Sequence, residues 1–165
     1  MDSTHCKVHQ HANGAKDRHC EAVGTSRGGL NTKVHAACDA LLRLCTKIVL
    51  TAGNISDFTA APDVTEALVD CVVVGDKGYD SKRNREQLRS QGCDPCIPSR
   101  KNTKVPEQYN ENLYKARHCI ENLFQRIKVF RRVATRYEKT KRMFLAMIVF
   151  SVSAIYERDG LWDPM

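Results

Sequence analysis

Residues 114–128, YKARHCIENLFQRIK, hold the pattern that decides the fold. The stretch has no Gly and no Pro and consists mostly of good helix formers, so it predicts one uninterrupted helix. At about 100° per residue, Tyr114, Arg117, Glu121 and Lys128 fall within roughly 60° of one another. Beside them runs an apolar stripe of Leu113, Ala116, Ile120, Leu123, Phe124 and Ile127. A helix so patterned packs along one flank and presents a carboxylate, among bases and a phenol, along the next. A solvated face on an amphipathic helix explains the same letters, so the meaning of Glu121 depends on acids elsewhere in the chain.

The 165 residues suffice for one ordinary domain with a core. Hydrophobic residues at 42% and charged residues at 27% describe a soluble globular chain. Lys and Arg outnumber Asp and Glu by 26 to 19, a net charge of +7, which points to a polyanionic partner, most often nucleic acid. The surplus is concentrated: residues 115–142 contain ten Lys or Arg against two acids, Glu121 and Glu138. Eight cysteines (6, 20, 38, 45, 71, 93, 96 and 119) follow no repeating frame and read mostly as small buried hydrophobes. Cys93 and Cys96 form a lone C-x2-C without the second ligand pair that structural zinc needs. With no signal peptide ahead of them, they fit a reducing cytoplasm. Residues 143–156, the longest apolar run, are too short to span a bilayer and read as a buried helix.

Taken in order, residues 1–9 permit a strand, with Thr4, Cys6 and Val8 alternating with polar positions. Residues 9–28 read as loop, and the glycines of GTSRGG as turns, since neither G-x-G-x-x-G nor a Walker A pattern is present. Residues 30–38 and 44–51 predict strands joined by a turn at Asp39-Ala40, an antiparallel hairpin. Asp57 is the expected N-cap of a helix over residues 58–69. Residues 71–74, CVVV, predict a strand buried on both faces, running into Gly75-Asp76-Lys77-Gly78-Tyr79-Asp80. Ser81 caps a polar helix to Ser90, which Gly92 ends. Residues 93–97 form a short strand, residues 99–107 a basic loop, and the long helix, a basic connection and a final apolar helix follow. Hairpins first and helix-linked strands later predict an α/β fold, a mixed sheet of about five strands with packed helices.

Three acids carry the chemistry. Asp2 lies on the first strand, Asp76 at the C-terminal end of a buried strand, and Glu121 on the long helix. If the first and fourth strands are neighbours, the two aspartates lie side by side and the helix delivers the glutamate. Such a cluster repels itself unless hard cations occupy it, and oxygen ligands suit Mg2+ or Mn2+. Two such ions could activate a water or hydroxyl and stabilise a leaving oxygen in phosphodiester cleavage.

These residues resemble a known family. Asp2-Ser3-Thr4, Ser26-Arg27-Gly28-Gly29-Leu30, Thr32-Lys33-Val34-His35, residues 75–80 (GDKGYD) and a complete Y-x2-R-x3-E-x6-K pattern at Tyr114, Arg117, Glu121 and Lys128 look like the catalytic domain of a DDE transposase of bacterial insertion sequences, IS5-like family. Residues 131–137, RRVATRY, continue the match. The resemblance implies an RNase H-like fold over residues 1–165. It also implies a metal-binding and catalytic triad of Asp2, Asp76 and Glu121, and two Mg2+ or Mn2+ ions. DNA contacts would come from Lys128, Arg117, Tyr114, Lys77, Arg131 and Arg132. It further implies cleavage and strand transfer on DNA ends and target, a homo-oligomer, and a cytoplasmic, nucleoid-associated protein with no membrane segment. Members carry residues ahead of the first aspartate and an upstream DNA-binding part, so a partner encoded upstream is expected to supply that part. A catalytically inactive DNA-binding remnant or regulator of transposition is the alternative. Among the remaining residues, His5, His9, His11 and His19 read as loop and strand positions. Arg27, Arg100, Lys101 and Lys104 are each open to a DNA-lining or a solvated-loop reading, and Trp162 reads as a core anchor or part of a frayed tail.

Overall fold

The computed structural model describes residues 1–13, 21–101, 103 and 105–160. His19, Cys20, Lys104 and Trp162 lie outside the described residues. Strand β1 (Asp2–Val8) buries Cys6 between the exposed side chains of His5 and Lys7, the alternation of a half-buried strand. Strands β2 (Gly24–Ser26) and β3 (Gly29–Cys38) pair antiparallel, with Ser26 opposite Gly29. Arg27-Gly28 is therefore the two-residue hairpin turn, and Gly29 follows it at φ +89°. The sequence reading took this stretch as turns alone. Three residues are too few for a period-two signal, and β2 exists through its pairing with β3.

Strand β4 (Cys45–Ala52) pairs with β3. Between them Asp39 closes a wider turn than expected, its Oδ1 accepting from the amides of Leu41 and Leu42. Helix α1 (Asp57–Thr65) has Ser56, not Asp57, at its N-cap and stops at Thr65 rather than Val69. The chain has to reverse there: Leu68 N–H bonds to Thr65 O, and Asp70 adopts φ +47°.

Strand β5 (Val72–Val74), helix α2 (Lys82–Ser90) and strand β6 (Asp94–Cys96) form a parallel β-α-β unit, with Val72 opposite Asp94 and Val74 opposite Cys96. Ser81 caps α2 through a bond from Asn84 N–H, and Gly92 turns the chain out at φ +73°. The expectation of burial on both faces of β5 fails at Val72, which is 46% exposed. A three-residue strand in a two-stranded sheet leaves one flank uncovered.

Residues 114–128 are not one helix. Helix α3 (Glu111–Tyr114), capped by the Asn110 carboxamide, passes into a 3-10 turn (Lys115–Arg117) and then helix α4 (His118–Ile127). Of the expected apolar stripe, Ile120, Leu123, Phe124 and Ile127 are buried, whereas Leu113 is exposed. Helix α5 (Arg131–Ala134) leads to strand β7 (Thr135–Arg136), which the sequence reading missed. Its two residues pair parallel with Lys7 and Val8 of β1. Helix α6 (Lys141–Arg158), capped by Thr140, closes the chain and is not apolar enough to cross a membrane. No other helix among the described residues qualifies either.

Strand pairing gives a mixed five-stranded sheet, order β2-β3-β1-β7 with β4 on β3, and the separate pair β5-β6. Thus β5 pairs with β6 and not with β1. What joins β1 to β5 is the buried Met1 ammonium, which donates to Val74 O at 2.5 Å. Burial holds that ammonium below its usual pKa.

The chain divides into two compact units. The first comprises Met1–Ser3, His35–Val49 and Ile55–Glu121, and its core is Met1, Ala37, Ala61, Val64, Val73, Tyr79, Leu88, Cys93 and Ile97. Of the cysteines read as buried, Cys6, Cys93 and Cys96 are, while Cys71 is exposed and Cys38, Cys45 and Cys119 are half-buried. The second unit comprises Thr4–Val34, Leu50–Asn54 and Asn122–Met165. At its centre Arg136 is fully buried and donates to the carbonyls of Glu21, Glu138 and Lys139 and to Thr32 Oγ1. Its guanidinium carbon stands 5.2 Å from the Phe144 ring centroid. Part of the basic surplus of residues 115–142 is thus internal. Arg126 pairs with Asp159, and Arg132 with Glu138 at 2.6 Å.

Arg136→Met strands four acceptors, two of them buried, and leaves the centre of the second unit without its buried guanidinium; we expect a loss of about 3 kcal/mol. Urea denaturation measures it. An unchanged midpoint would mean that the four oxygens find other donors.

Candidate active site

Asp2 and Asp76 reach the first unit by different routes. Asp2 opens β1, and its Oδ1 accepts from the Ser3 amide at 2.8 Å. Asp76 follows β5 in extended conformation, at the start of a 3-10 turn (Lys77–Tyr79). Its carboxylate makes no capping bond to that turn, which Tyr79 N–H closes onto Asp76 O instead.

The turn is braced from outside. Arg100 donates from Nε to Lys77 O and from Nη2 to Gly78 O, while its backbone N–H donates to Asp80 Oδ2. Its guanidinium also stands 5.1 Å from the Phe58 ring centroid. Arg85, buried, holds Asp80 Oδ1 at 2.9 Å and Ile97 O at 2.7 Å. Beneath the turn, Ser3 Oγ donates to Asp57 Oδ1 at 2.8 Å, and the buried His35 Nδ1 and Tyr79 hydroxyl share a bond of 2.9 Å. Asp57 Oδ1 lies 3.8 Å from His35 Nδ1. Gly78 admits this network because a Cβ there would stand 2.7 Å from Asp57 Oδ2. Burial, then the Asp57 and Asp2 charges, raises the Tyr79 pKa, so the phenol stays protonated.

Arg117 stands among the acids. Its Nη1 donates to Asp2 Oδ2 and its Nη2 to Glu121 Oε1. The Asp2, Arg117 and Glu121 side chains are 15%, 22% and 45% exposed, so only the Glu121 end is well hydrated. Burial works against the Arg117 charge, but Asp2, then Tyr114, Glu121 and Asp76, outweigh it and raise its pKa. The Tyr114 ring lies 5.7 Å from the guanidinium carbon. Burial is also the main force on Asp2, raising its pKa against the Ser3 amide and Arg117, and Asp76 adds to the rise. A cavity of about 470 Å³, walled chiefly by apolar side chains such as Met1, Val73, Leu113 and Ile120, also has Arg117 in its lining. An apolar wall limits solvation of the guanidinium and strengthens its ion pairs.

Five of the residues singled out from sequence therefore bear on one another in the first unit: Asp2, Asp76, Tyr114, Arg117 and Glu121. Lys77 belongs to the same unit and is exposed. Lys128, Arg131 and Arg132 belong to the second. There Lys128 Nζ donates to Thr4 Oγ1, and Arg131 and Arg132 are exposed. The supporting roles of Asp57, Ser3, His35, Arg85 and Arg100 are not legible in the sequence. Asp57 was masked by its resemblance to an N-cap. The one available signal was Gly78, a glycine inside an acidic turn, which marks a close approach.

Residues 1–112 match a family model described as Transposase DDE domain. The chain belongs to that family. A second model of the same description matches residues 73–156. The chain is 31% identical over 134 residues to "Putative transposase for insertion sequence element IS6501" of Brucella ovis, an alignment covering 78% of this chain and all of that protein. It is 29% identical over 127 residues to "Putative transposase for insertion sequence element IS402" of Burkholderia cepacia, covering 70% of this chain and 57% of that protein. No solved structure matches. This DDE domain is thereby a transposase domain, of a family that performs phosphoryl transfer on DNA and generally uses divalent metal ions.

The donor set can be tested against such an ion. Among the described residues, no three His, Cys, Asp or Glu side chains stand close enough to hold one together. The chemistry nonetheless fits: the acids are oxygen donors, and Asp2 is a largely buried carboxylate that a cation would relieve. The charge now compensating Asp2 and Glu121 is Arg117.

The raised pKa of Asp2 has a defined pH signature. A carboxyl whose folded pKa exceeds its unfolded value stabilises the fold below the unfolded value, and that contribution is lost as pH rises through the folded value. Asp2→Asn removes the titration. The stability of the variant minus that of wild type should therefore grow as pH rises from about 3.5 to about 7. Paired urea titrations at those pH values measure it, and a difference that shrinks with pH would contradict the burial of Asp2.

Proposed function

We propose that Asp2, Asp76 and Glu121 are the metal ligands and catalytic acids of an RNase H-like, IS5-like transposase domain. The observation that carries this reading is Arg117, a single guanidinium that donates to Asp2 and to Glu121 and whose charge Asp76 also favours. Acids from three distant segments that bear on one cation support a site reading over a solvated helix face. The Met1 to Val74 bond supports the reading, because it sets the start of β1, where Asp2 lies, beside the end of β5, which Asp76 follows.

Bound at these acids, Mg2+ or Mn2+, as a pair, would neutralise charge and lower the pKa of an attacking hydroxyl. The chain's own side chains would do the remainder. Lys77, Lys128, Arg131 and Arg132 provide positive charge for the DNA backbone, Lys128 as a point charge and Arg117 as a fork. Tyr114 backs the Arg117 guanidinium by its ring. In cleavage, a water oxygen bonds to phosphorus and gives up a proton, the bond from phosphorus to the 3′ oxygen breaks, and that oxygen takes up a proton to become a 3′-hydroxyl. In strand transfer, the 3′-hydroxyl attacks a target phosphodiester, and one P–O bond replaces another. Both steps depend on positioning and electrostatics. Two DNA ends are served by a homo-oligomer.

The test is strand transfer of a pre-cleaved element end with Mg2+ or Mn2+. We expect Asp76→Asn and Glu121→Gln each to lower the rate at least about 100-fold with the fold intact by circular dichroism. Product formation unaffected by either change would remove the proposed acids from the mechanism. If neither wild type nor variants give product while all bind DNA equally, the chain is the non-catalytic DNA-binding regulator.

Lys128→Ala should weaken DNA binding and reduce the steepness of its salt dependence by about one phosphate contact, about 0.9 in the log–log slope. Fluorescence anisotropy at several salt concentrations reads both. An unchanged slope would mean that Lys128 meets no phosphate.

A further inference from the structure

We propose that Arg117 is the built-in counter-ion of the carboxylate site and exchanges with the divalent cation: its guanidinium holds the acids when no metal is bound and is released toward nucleic-acid phosphate when metal binds. The proposal rests on the reading of Asp2, Asp76 and Glu121 as metal ligands.

The first ground is geometric. One planar fork donates to two acids from different elements, Nη1 to Asp2 and Nη2 to Glu121. Two hydrogen-bonded acids are then both occupied on the side that faces the guanidinium. A small dication needs carboxylate oxygens at about 2.0–2.1 Å, and it cannot share them cheaply with a second positive charge at hydrogen-bond distance. Metal and guanidinium therefore compete for the same anionic atoms.

The second ground is the cost of leaving the acids bare. Asp2 is only 15% exposed, and with Asp76 and Glu121 nearby it needs a positive neighbour in every state of the site. Arg117 meets that need without metal, and a dication meets it without Arg117. The third ground is the local backbone. Arg117 ends the 3-10 turn between α3 and α4, a break of the kind found at hinges, and the Tyr114 ring beside the guanidinium gives it a contact that does not depend on the acids. A guanidinium freed from carboxylates is a strong ligand for phosphate. By reciprocity, phosphate that draws Arg117 away strengthens metal binding, and metal strengthens binding of the phosphate backbone. The site then loads its metal most readily when DNA is present.

The experiment is Mn2+ binding to the intact chain, followed by electron paramagnetic resonance of the free ion, without DNA and with duplex DNA. Arg117→Gln should bind Mn2+ about tenfold more tightly than wild type in the absence of DNA. Duplex DNA should raise the affinity of wild type toward that of the variant and change the variant little. The sign separates competition from damage, because a variant that merely disturbs the site binds metal more weakly. Arg117→Gln binding Mn2+ equally or more weakly than wild type overturns the exchange. Asp76→Asn and Glu121→Gln serve as the control on the underlying reading. If both bind Mn2+ as wild type does, the metal ligands themselves are wrong, and that failure is distinct from the first. Should Arg117→Gln not fold, the wild type answers directly. Added Mg2+ should collapse the separate Nη signals of the held Arg117 guanidinium in nitrogen-15 spectra, and their persistence at saturation overturns the proposal.

Discussion

Carboxylates cannot be gathered without a compensating charge, and this constraint organises the first unit. Arg117 meets it by reaching Asp2 and Glu121 with the two arms of one guanidinium. The pairing is only partly hydrated, so its strength is greater than that of a surface ion pair and its cost of desolvation is also larger. The balance is visible in opposite tendencies. Burial pushes Asp2 toward the neutral acid, while the surrounding acids hold Arg117 firmly charged. Arg117 is the resident cation that lets these charges stand together.

The second requirement is that the acids keep their places. Asp76 sits on a short turn, which by itself is a poor platform. Arg100 ties down the turn's carbonyls, Arg85 anchors Asp80, and Asp57 fits beneath Gly78 while accepting from Ser3 beside Asp2. Arg100, open in the sequence to a DNA-lining reading, is here used as a brace. Arg136 does the same in the second unit, where it binds carbonyls. Net charge consequently overstates the positive surface left for DNA.

The elements longest in sequence were the most legible. The Ser81 cap and the Gly92 stop of α2, the strand at β3 and the helix at α6 each follow from local preferences that tertiary contacts did not override. The short strands β2 and β7 were illegible because two or three residues carry no period. They are strands only because β3 and β1 offer backbone partners. Residues 114–128 mislead for a related reason. Every residue there favours helix, but the 3-10 turn at Lys115–Arg117 sets the direction of Arg117, and propensity does not register that demand.

The sequence by itself determined which chemical groups were available and where the main helices and strands lie, because periodicity, caps and side-chain type are properties of neighbouring residues. It also sufficed to identify the transposase family, through acids and bases at set spacings. Only the tertiary structure decided that Arg117 neutralises Asp2, 115 positions away, that Asp57 accepts from Ser3 and does not cap a helix, and that Arg100 braces a turn. Those choices are settled through space, by which charges burial forces together, and no local pattern encodes them.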